Sequence, residues 1–178
     1  MQNSSITMNT ALKEYNRIFR EINLIYQETA QSLGLSHSAF DIYYAICQLG
    51  DGCRQKDIAD HTFLSKQTIN STIHQMEKDG LITLRPGKGR SRNIYLTPLG
   101  QDIIYAKIRP VIDCENRSFD TMTPADAEVL LQSSNTYISH LRAAFSDLLG
   151  KDTKQWRFNF QNILLIANYS VLHFHPSS

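Results

Sequence analysis

Long apolar runs and cysteines are both scarce in this 178-residue chain. No stretch reaches the roughly 18 consecutive apolar residues that a membrane-spanning helix needs, so the sequence predicts no membrane partner. The first residues, MQNSSITMNT, lack the basic start and apolar run of a secretory signal, and the chain contains three cysteines. A disulfide framework is therefore not expected, and the predicted location is a reducing cytoplasm.

Sequence motifs for catalysis and metal binding are also missing. The chain has no glycine-rich phosphate loop, no nucleophile elbow and no metal-ligand spacing among its histidines, apart from the weak pair His173 and His175. We therefore predict neither an enzyme nor a cofactor or metal site. The length and the 42 % share of apolar residues instead fit one folded domain with a sizeable core.

Acidic residues are absent from residues 80–97, although the chain as a whole has a formal net charge of only +1. Residues 54–97 contain eight Lys or Arg against four Asp or Glu, whereas both flanking parts are net negative. The acid-free stretch carries four basic residues, Arg85, Lys88, Arg90 and Arg92. A local cationic patch on a near-neutral protein indicates a polyanionic partner, and a solvated basic loop is the simpler alternative.

Hydrophobic periodicity divides the chain into helices and one hairpin. Each apolar stripe repeats at helical spacing and is delimited by a glycine, a capping Ser or a Thr-Pro pair. The predicted helices span 9–33, 37–49, 55–61, 65–79, 98–119 and 124–149. Pro110 is expected to kink the fifth helix. The runs LITLR and NIYLT, which flank PGKGRSR, predict a β-hairpin whose loop is long enough to project.

The helix predicted over 65–79 combines an apolar stripe with a polar opposite face. Ile69, Ile73 and Met76 lie at i, i+4 and i+7, so they are predicted to face the core. The outward side chains suit base edges or phosphates, and a helix fits the major groove of DNA. The predicted DNA-binding residues are Ser65, Lys66, Gln67, Thr68, Asn70, Ser71 and His74 on this helix, and Lys88, Arg90 and Arg92 on the hairpin.

Two short helices followed by a basic hairpin resemble the DNA-binding region of the MarR family of transcriptional regulators. The segments that carry the resemblance are GLSHSAFDIYYAICQLG, DIADHTFLSKQTINSTIHQMEKDGLITLR and GRSRNIYLTPLG. The last segment matches the family pattern of Arg, five residues, Leu-Thr, two residues and Gly, as Arg90, Leu96, Thr97 and Gly100. The family usually has Asp two positions before this Arg, where this chain has Lys88, so a carboxylate that would hold the arginine is missing.

The resemblance covers about residues 9–149 and implies a mainly α fold. A winged helix-turn-helix at about 36–97 would be embedded between dimerisation helices at about 9–35 and 98–149, all within a domain spanning 1–150. The implied function is a homodimeric repressor that binds a pseudo-palindromic operator in double-stranded DNA. The broad apolar faces of 9–33 and 124–149 independently favour a dimer. A winged-helix module that binds proteins, without sequence-specific DNA binding, is the alternative.

The resemblance also implies a small-molecule effector, because many family members bind an aromatic or phenolic ligand beside the dimerisation helices. Candidate residues on the elements that would line such a cleft are Arg17, His37, Tyr43 and Tyr44, although an aromatic pair at this spacing is more often core. Relatives that sense oxidants use a cysteine in the first helix, which this chain lacks. Cys53, beside Arg54, is the candidate for a lowered thiol pKa.

Residues 151–178 follow the region of resemblance and are aromatic, apolar and almost free of acids. Their central stretch, NILLIANYSVL, fits a strand, a helix packed on the dimer or a segment that binds in trans. Because such a stretch would be an aggregation hazard if exposed, we expect it to be docked.

Overall fold

The computed structural model of the chain describes residues 6–89 and 91–150. Over these residues a two-stranded antiparallel hairpin is set among helices, so the predicted mainly α fold with a winged helix-turn-helix is confirmed. In chain order the elements are α1 (Thr10–Ser32), α2 (His37–Leu49), α3 (Gln55–His61), α4 (Lys66–Lys78), β1 (Ile82–Pro86), β2 (Arg92–Leu96), α5 (Pro98–Ile103), a π-helical turn (Ile104–Ile108), α6 (Arg109–Asp120) and α7 (Pro124–Leu149).

Local capping signals set the starts and ends of the helices. Ser36 Oγ accepts a hydrogen bond from Ala39 N–H at 3.2 Å, and Thr123 Oγ1 accepts one from Asp126 N–H at 3.1 Å. These bonds satisfy N–H groups that have no acceptor within the helix. Gly150 ends α7 at φ 58°, a left-handed conformation that glycine adopts without a steric penalty.

A cluster of buried apolar side chains joins α2, α3, α4 and the hairpin into one unit. Its fully buried members include Ile42, Ile46, Ile58, Ile73, Ile82 and Ile94. Ala30 of α1 and Ile108 of the π-helical turn also reach this cluster, so the core continues into the flanking helices. The helix-turn-helix is thereby held against the rest of the chain by packing as well as by sequence connectivity.

The helical run after the hairpin is interrupted just before Pro110. The sequence predicts one kinked helix there, whereas the structure has a π-helical turn at Ile104–Ile108 followed by α6. Proline has no N–H to donate, and its ring clashes with the carbonyl four residues earlier, which lies within this turn. Lys107, on the same turn, donates to the carbonyl oxygen of Leu33 at 2.7 Å and so joins the turn to the end of α1.

The loop between α2 and α3 also pairs with the hairpin, which the sequence analysis did not predict. Gly52 N–H donates to Ile94 O, and Ile94 N–H donates to Cys53 O, each at 2.8 Å. Asp51 Oδ1 accepts from Leu96 N–H at the same distance. These bonds fix the base of the hairpin to the loop that precedes α3, so the hairpin is positioned relative to the helix-turn-helix.

Thr97 and Gly100 determine where the hairpin rejoins the helices. Thr97 Oγ1 donates to Gly80 O at 2.6 Å and accepts from Gly100 N–H at 3.1 Å. A Cβ atom at Gly100 would overlap the carbonyl oxygen of Leu81. The Leu-Thr, two residues, Gly pattern therefore corresponds to a tight contact between the start of α5 and the chain leaving α4.

α1 and α7 carry apolar side chains that a single chain leaves uncovered. The exposed ones are Tyr15, Ile18, Phe19, Ile22, Leu24 and Ile25 on α1, and Val129, Leu130, Leu141, Phe145, Leu148 and Leu149 on α7. The rings of Tyr15 and Tyr137 lie 4.8 Å apart and connect the two helices. No helix in the described part of the chain is long and apolar enough to cross a membrane. The predicted extension, 151–178, lies outside the described residues.

Candidate nucleic-acid interface

α4 presents to solvent the polar face that the sequence predicts. The exposed side chains, which we term the recognition face, are Lys66, Gln67, Asn70, Ser71 and His74. The three aliphatic anchors on the opposite side are at most 3 % exposed. A helix rotated by half a turn would have buried the polar side chains, so this arrangement leaves them free to contact a partner.

Ser65 and Thr68, both predicted as DNA contacts, form the cap of α4. Ser65 Oγ accepts from Thr68 N–H at 3.0 Å and lies 2.8 Å from Thr68 Oγ1. The two hydroxyl groups therefore bond each other and the backbone, and one hydroxyl hydrogen of the pair remains for an external acceptor such as a phosphate. The remaining N–H groups of the first turn have no acceptor within the helix, and such groups suit a phosphate oxygen.

The lysine of the recognition face and the described cations of the hairpin have no neighbouring acid in the described part of the chain to neutralise them, whereas His74 on the recognition face lies 3.8 Å from Glu77 Oε2. Among the described residues, no carboxylate oxygen lies within 4.0 Å of the charged nitrogens of Lys66, Lys88 or Arg92. Arg54 differs, because its guanidinium lies 2.6 Å from Asp57 Oδ1. Cations without an ion-pair partner are available to neutralise phosphates.

Arg85, which sequence reasoning did not select as a DNA contact, is restrained by an aromatic ring of the hairpin. Its guanidinium carbon lies 4.5 Å from the centroid of the Tyr95 ring. A cation–π contact restrains a guanidinium without cancelling its charge. The signal was present in the sequence, because Arg85 is the first basic residue of the acid-free stretch, but only the strand register places it beside Tyr95.

The loop of the hairpin, residues 87–91, is closed by its own hydrogen bonds. Gly87 N–H donates to Ser91 O at 2.9 Å, and Ser91 Oγ donates to Lys88 O at 2.8 Å. The Lys88 side chain is exposed, and Arg92 is exposed at the start of β2, opposite Pro86. Arg90, the predicted wing arginine, lies outside the described residues.

Sequence comparison agrees with this geometry, because residues 33–92 match the model of the MarR family. The resemblance to the MarR family is confirmed. The matched residues run from the end of α1 to the start of β2, and so include α2, α3 and the whole recognition face. No curated protein matches the chain.

Solved structures of MarR-family regulators share the fold. A regulator from Neisseria meningitidis is 21 % identical, with a TM-score of 0.66, over 79 % of this chain and 99 % of that one. A regulator from Silicibacter pomeroyi is 24 % identical, with a TM-score of 0.57, over 74 % of this chain and 89 % of that one. An organohalide-sensing transcriptional regulator, solved in its 2,4-dichlorophenol-bound form, is 22 % identical, with a TM-score of 0.56, over 86 % of this chain and 91 % of that one. At these identities the likeness establishes a MarR-type fold.

The four residues predicted to line an effector cleft have different surroundings. Arg17 forms ion pairs within α1, with Glu14 at 2.9 Å and Glu21 at 2.6 Å. His37 is exposed at the start of α2, and Tyr43 is 1 % exposed within the core, where its position supports a packing role. Of the four, Tyr44 is the one with a side-chain bond to another helix.

Tyr26 and Glu115, which sequence reasoning missed, form a half-buried group with Tyr44. The hydroxyls of Tyr26 and Tyr44 donate to the two oxygens of the Glu115 carboxylate, each at 2.5 Å. Burial, reinforced by the carboxylate, raises the pKa of both tyrosines. This tyrosine–glutamate cluster links α1, α2 and α6, and Phe40 lies between its rings, with centroids 6.4 Å from Tyr26 and 6.0 Å from Tyr44.

The lowered thiol pKa expected for Cys53 is wrong. Burial raises the pKa of Cys53 to about 11, and the carboxylates of Asp57 and Asp51 act in the same direction. Arg54 does not counter them, because its guanidinium is bound to Asp57. Burial also raises the pKa of Cys47 to about 11. Neither thiol has the thiolate character of a reactive cysteine.

No group of three or more His, Cys, Asp or Glu side chains in the described residues is arranged to hold a metal ion. The weak pair predicted from sequence, His173 and His175, lies outside those residues.

Proposed function

We propose that this chain is a sequence-specific DNA-binding transcriptional regulator that acts as a repressor in the cytoplasm. The observation that carries the proposal is the exposed recognition face of α4, next to a hairpin whose described cations, Arg85, Lys88 and Arg92, lack acidic partners. A helix of this kind fits the major groove, while a basic wing reaches the backbone or the adjacent minor groove. The family that matches residues 33–92 consists of transcriptional regulators, which supports the same conclusion.

The side chains divide into base-contacting and phosphate-contacting groups. Gln67 and Asn70 carry amides that form paired hydrogen bonds with adenine, so they are assigned to base edges. Phosphates and sugars are assigned to the first-turn N–H groups and to the remaining polar and cationic side chains. These are Ser65, Lys66, Thr68, Ser71 and His74 on α4, and Arg85, Lys88, Arg90 and Arg92 on the wing.

A homodimer completes the proposal, with the apolar faces of α1 and α7 covered by a second copy. Large apolar side chains are exposed on both helices, and such exposure marks interaction surfaces, which supports self-association. A two-fold dimer presents two recognition helices, so its operator is a pseudo-palindrome with half-sites about 10 bp apart, one turn of DNA.

An aromatic or phenolic effector is proposed to release the DNA. The tyrosine–glutamate cluster supports this part of the proposal, because it joins α1 and α6 to α2, the helix that packs behind α4. A relative with the same fold has been solved with bound 2,4-dichlorophenol. The test compares thermal unfolding of the chain with and without this phenol: a raised midpoint that Tyr44→Phe abolishes supports the cluster as the site. An equal shift in both proteins places the site elsewhere.

Two lysines at opposite ends of α4 provide a matched test of DNA binding. Duplexes selected from a random library by the purified chain are titrated with wild type, Lys66→Ala and Lys78→Ala at several salt concentrations. The N-terminal part of a recognition helix enters the groove, so Lys66→Ala should weaken binding and reduce the salt slope by about one, while Lys78→Ala should not. Equal behaviour of the two variants would contradict the docking.

The protein-interaction alternative predicts a different result in the same experiment. A winged helix that binds only proteins would enrich no sequence from the library and would retain random and selected duplexes equally at moderate salt. That outcome would replace the regulator proposal with the alternative.

A further inference from the structure

Phe63 is a large apolar side chain that lies outside the core and is exposed to solvent. It is 75 % exposed and lies in the turn between α3 and α4, two residues before the Ser65 cap. Among described residues 26–98 it is the one exposed large hydrophobic side chain. Its neighbour Leu64 packs against the core, so the turn directs Phe63 outward and Leu64 inward.

The dimer surface does not account for this exposure. Apart from Ile6 and Met8 at the N-terminus, the other exposed large hydrophobics of the described residues lie in α1 or from Leu99 onward, in the helices expected to form the dimer. Phe63 belongs to the helix-turn-helix and has exposed polar residues next to it, Ser65, Lys66 and Gln67. It therefore borders the start of the recognition face.

The position and the chemistry of Phe63 together indicate which group of the DNA it contacts. At most about 11 Å of chain separates the Cα atoms of Phe63 and Lys66, so both residues lie within reach of the same few base pairs of a docked duplex. A phenyl ring forms no hydrogen bond with base edges or phosphates. The apolar group that the major groove offers is the C5 methyl of thymine.

Resting on the proposed function, we propose that Phe63 is a specificity-determining residue that contacts the C5 methyl group of a thymine in each half-site. The contact reads T at one position through apolar burial, in addition to the hydrogen bonds assigned to Gln67 and Asn70. Because Phe63 precedes α4, the preferred thymine should lie at one edge of the half-site, the edge nearest the N-terminal end of α4.

Uracil substitution tests the contact, because it removes the thymine methyl group and leaves the base-pairing hydrogen bonds in place. The probe is a duplex that the full-length chain selects from a random library, prepared with each thymine in turn replaced by deoxyuridine. At one symmetry-related position, wild type should lose about fourfold in affinity per half-site, the effect of withdrawing one methyl from an apolar contact. Phe63→Ala should bind the thymine and uracil duplexes equally there.

Two further variants separate this role from general effects. Phe63→Leu keeps an apolar side chain and should retain part of the thymine preference, whereas Lys66→Ala should weaken binding to both duplexes and preserve their ratio. Phe63→Ala that keeps the wild-type ratio at every thymine overturns the proposal. If the chain selects a sequence but Phe63→Ala leaves the ratio of thymine to uracil affinities unchanged, only the role of Phe63 is contradicted. If the chain selects no sequence, the proposed function is contradicted as well.

Discussion

Gly100 shows how one missing side chain positions the wing. The residue lies in the first turn of α5, against the chain leaving α4, and a methyl group there would overlap Leu81 O, an atom of the backbone that cannot rotate away. The sequence pattern located this glycine correctly through resemblance, but the reason for it requires the coordinates. Nothing in the spacing of Leu96, Thr97 and Gly100 indicates that Leu81 is the neighbour.

Replacing Gly100 by Ala is expected to destabilise the fold by about 1–3 kcal/mol, the usual cost of overpacking. The loss should appear in spite of the higher helix propensity of Ala, which alone favours the substitution by about 1 kcal/mol. Urea unfolding at pH 7 measures the difference. Gln101→Ala, at the exposed neighbouring position, is the control and should change stability by less than about 0.5 kcal/mol. A Gly100→Ala protein as stable as this control would disprove the steric account.

Cys53 shows the opposite case, in which adjacent residues in the sequence mislead. Arg54 follows it directly, yet the guanidinium turns to Asp57 to complete the start of α3, and the thiol is buried. Sequence proximity identifies neighbours along the backbone, but it does not tell which acid will bind a cation. The same limit applies to Tyr26 and Glu115, which lie 89 positions apart and bond through their side chains.

At the scale of elements, the helices were predictable because each carries its own stop and start signals. Ser36, Ser65, Thr97 and Thr123 begin helices through side-chain bonds within three residues, so the sequence contains the whole cause. The kink expected at Pro110 takes the form of a π-helical turn, so its position was predictable and its geometry was not. The pairing of residues 51–54 with β2 was not predicted, because it depends on bonds to a distant part of the chain that no local pattern encodes.

The tyrosine–glutamate cluster predicts how the stability of the helix packing depends on pH. Because the folded-state pKa of Tyr44 and Tyr26 is raised, the folded protein keeps these protons at pH values where the unfolded chain loses them. Their contribution is fully present below about pH 10, the unfolded tyrosine pKa, and is lost as the pH rises above it, with a slope of about 1.4 kcal/mol per pH unit for each tyrosine.

Chemical denaturation between pH 7 and pH 11 tests this with Tyr44→Phe. The variant should be less stable than wild type by about 1.5–3 kcal/mol at pH 7, since a hydrogen bond to a carboxylate is removed. Above pH 10 this difference in the free energy of unfolding should narrow, because wild type loses the contribution of the Tyr44 proton and the variant has no such proton to lose. Tyr105→Phe, at a 63 % exposed position, is the matched control and should follow wild type. A gap that stays constant to pH 11 would show that Tyr44 does not hold its proton.

At the scale of the whole molecule, the apolar faces of α1 and α7 predict self-association. Ile22 is 42 % exposed among the apolar side chains of α1, whereas Gln27 is exposed on another side of the same helix. Ile22→Glu should convert a dimer, of twice the mass of one chain, into a monomer, because a carboxylate would be buried at the interface. Gln27→Glu introduces the same charge and should remain dimeric.

Sedimentation equilibrium measures the masses, and titration of the selected duplex measures how loss of the dimer changes the affinity for DNA. A monomeric variant should lose the affinity that comes from engaging two half-sites together. A wild-type chain that sediments as a monomer, or an Ile22→Glu chain that stays dimeric, would show that these faces serve another purpose.

The central prediction is that the side chains of the recognition face contact base edges, which the polar face of an ordinary solvated helix does not do. The most direct measurement is the ratio of affinities for the selected operator and a scrambled duplex of the same composition, determined for wild type, Gln67→Ala and Asn70→Ala at one salt concentration. Each variant should lose about 1–3 kcal/mol of discrimination, with affinity for the scrambled duplex unchanged. A ratio equal to that of wild type in both variants would contradict the account.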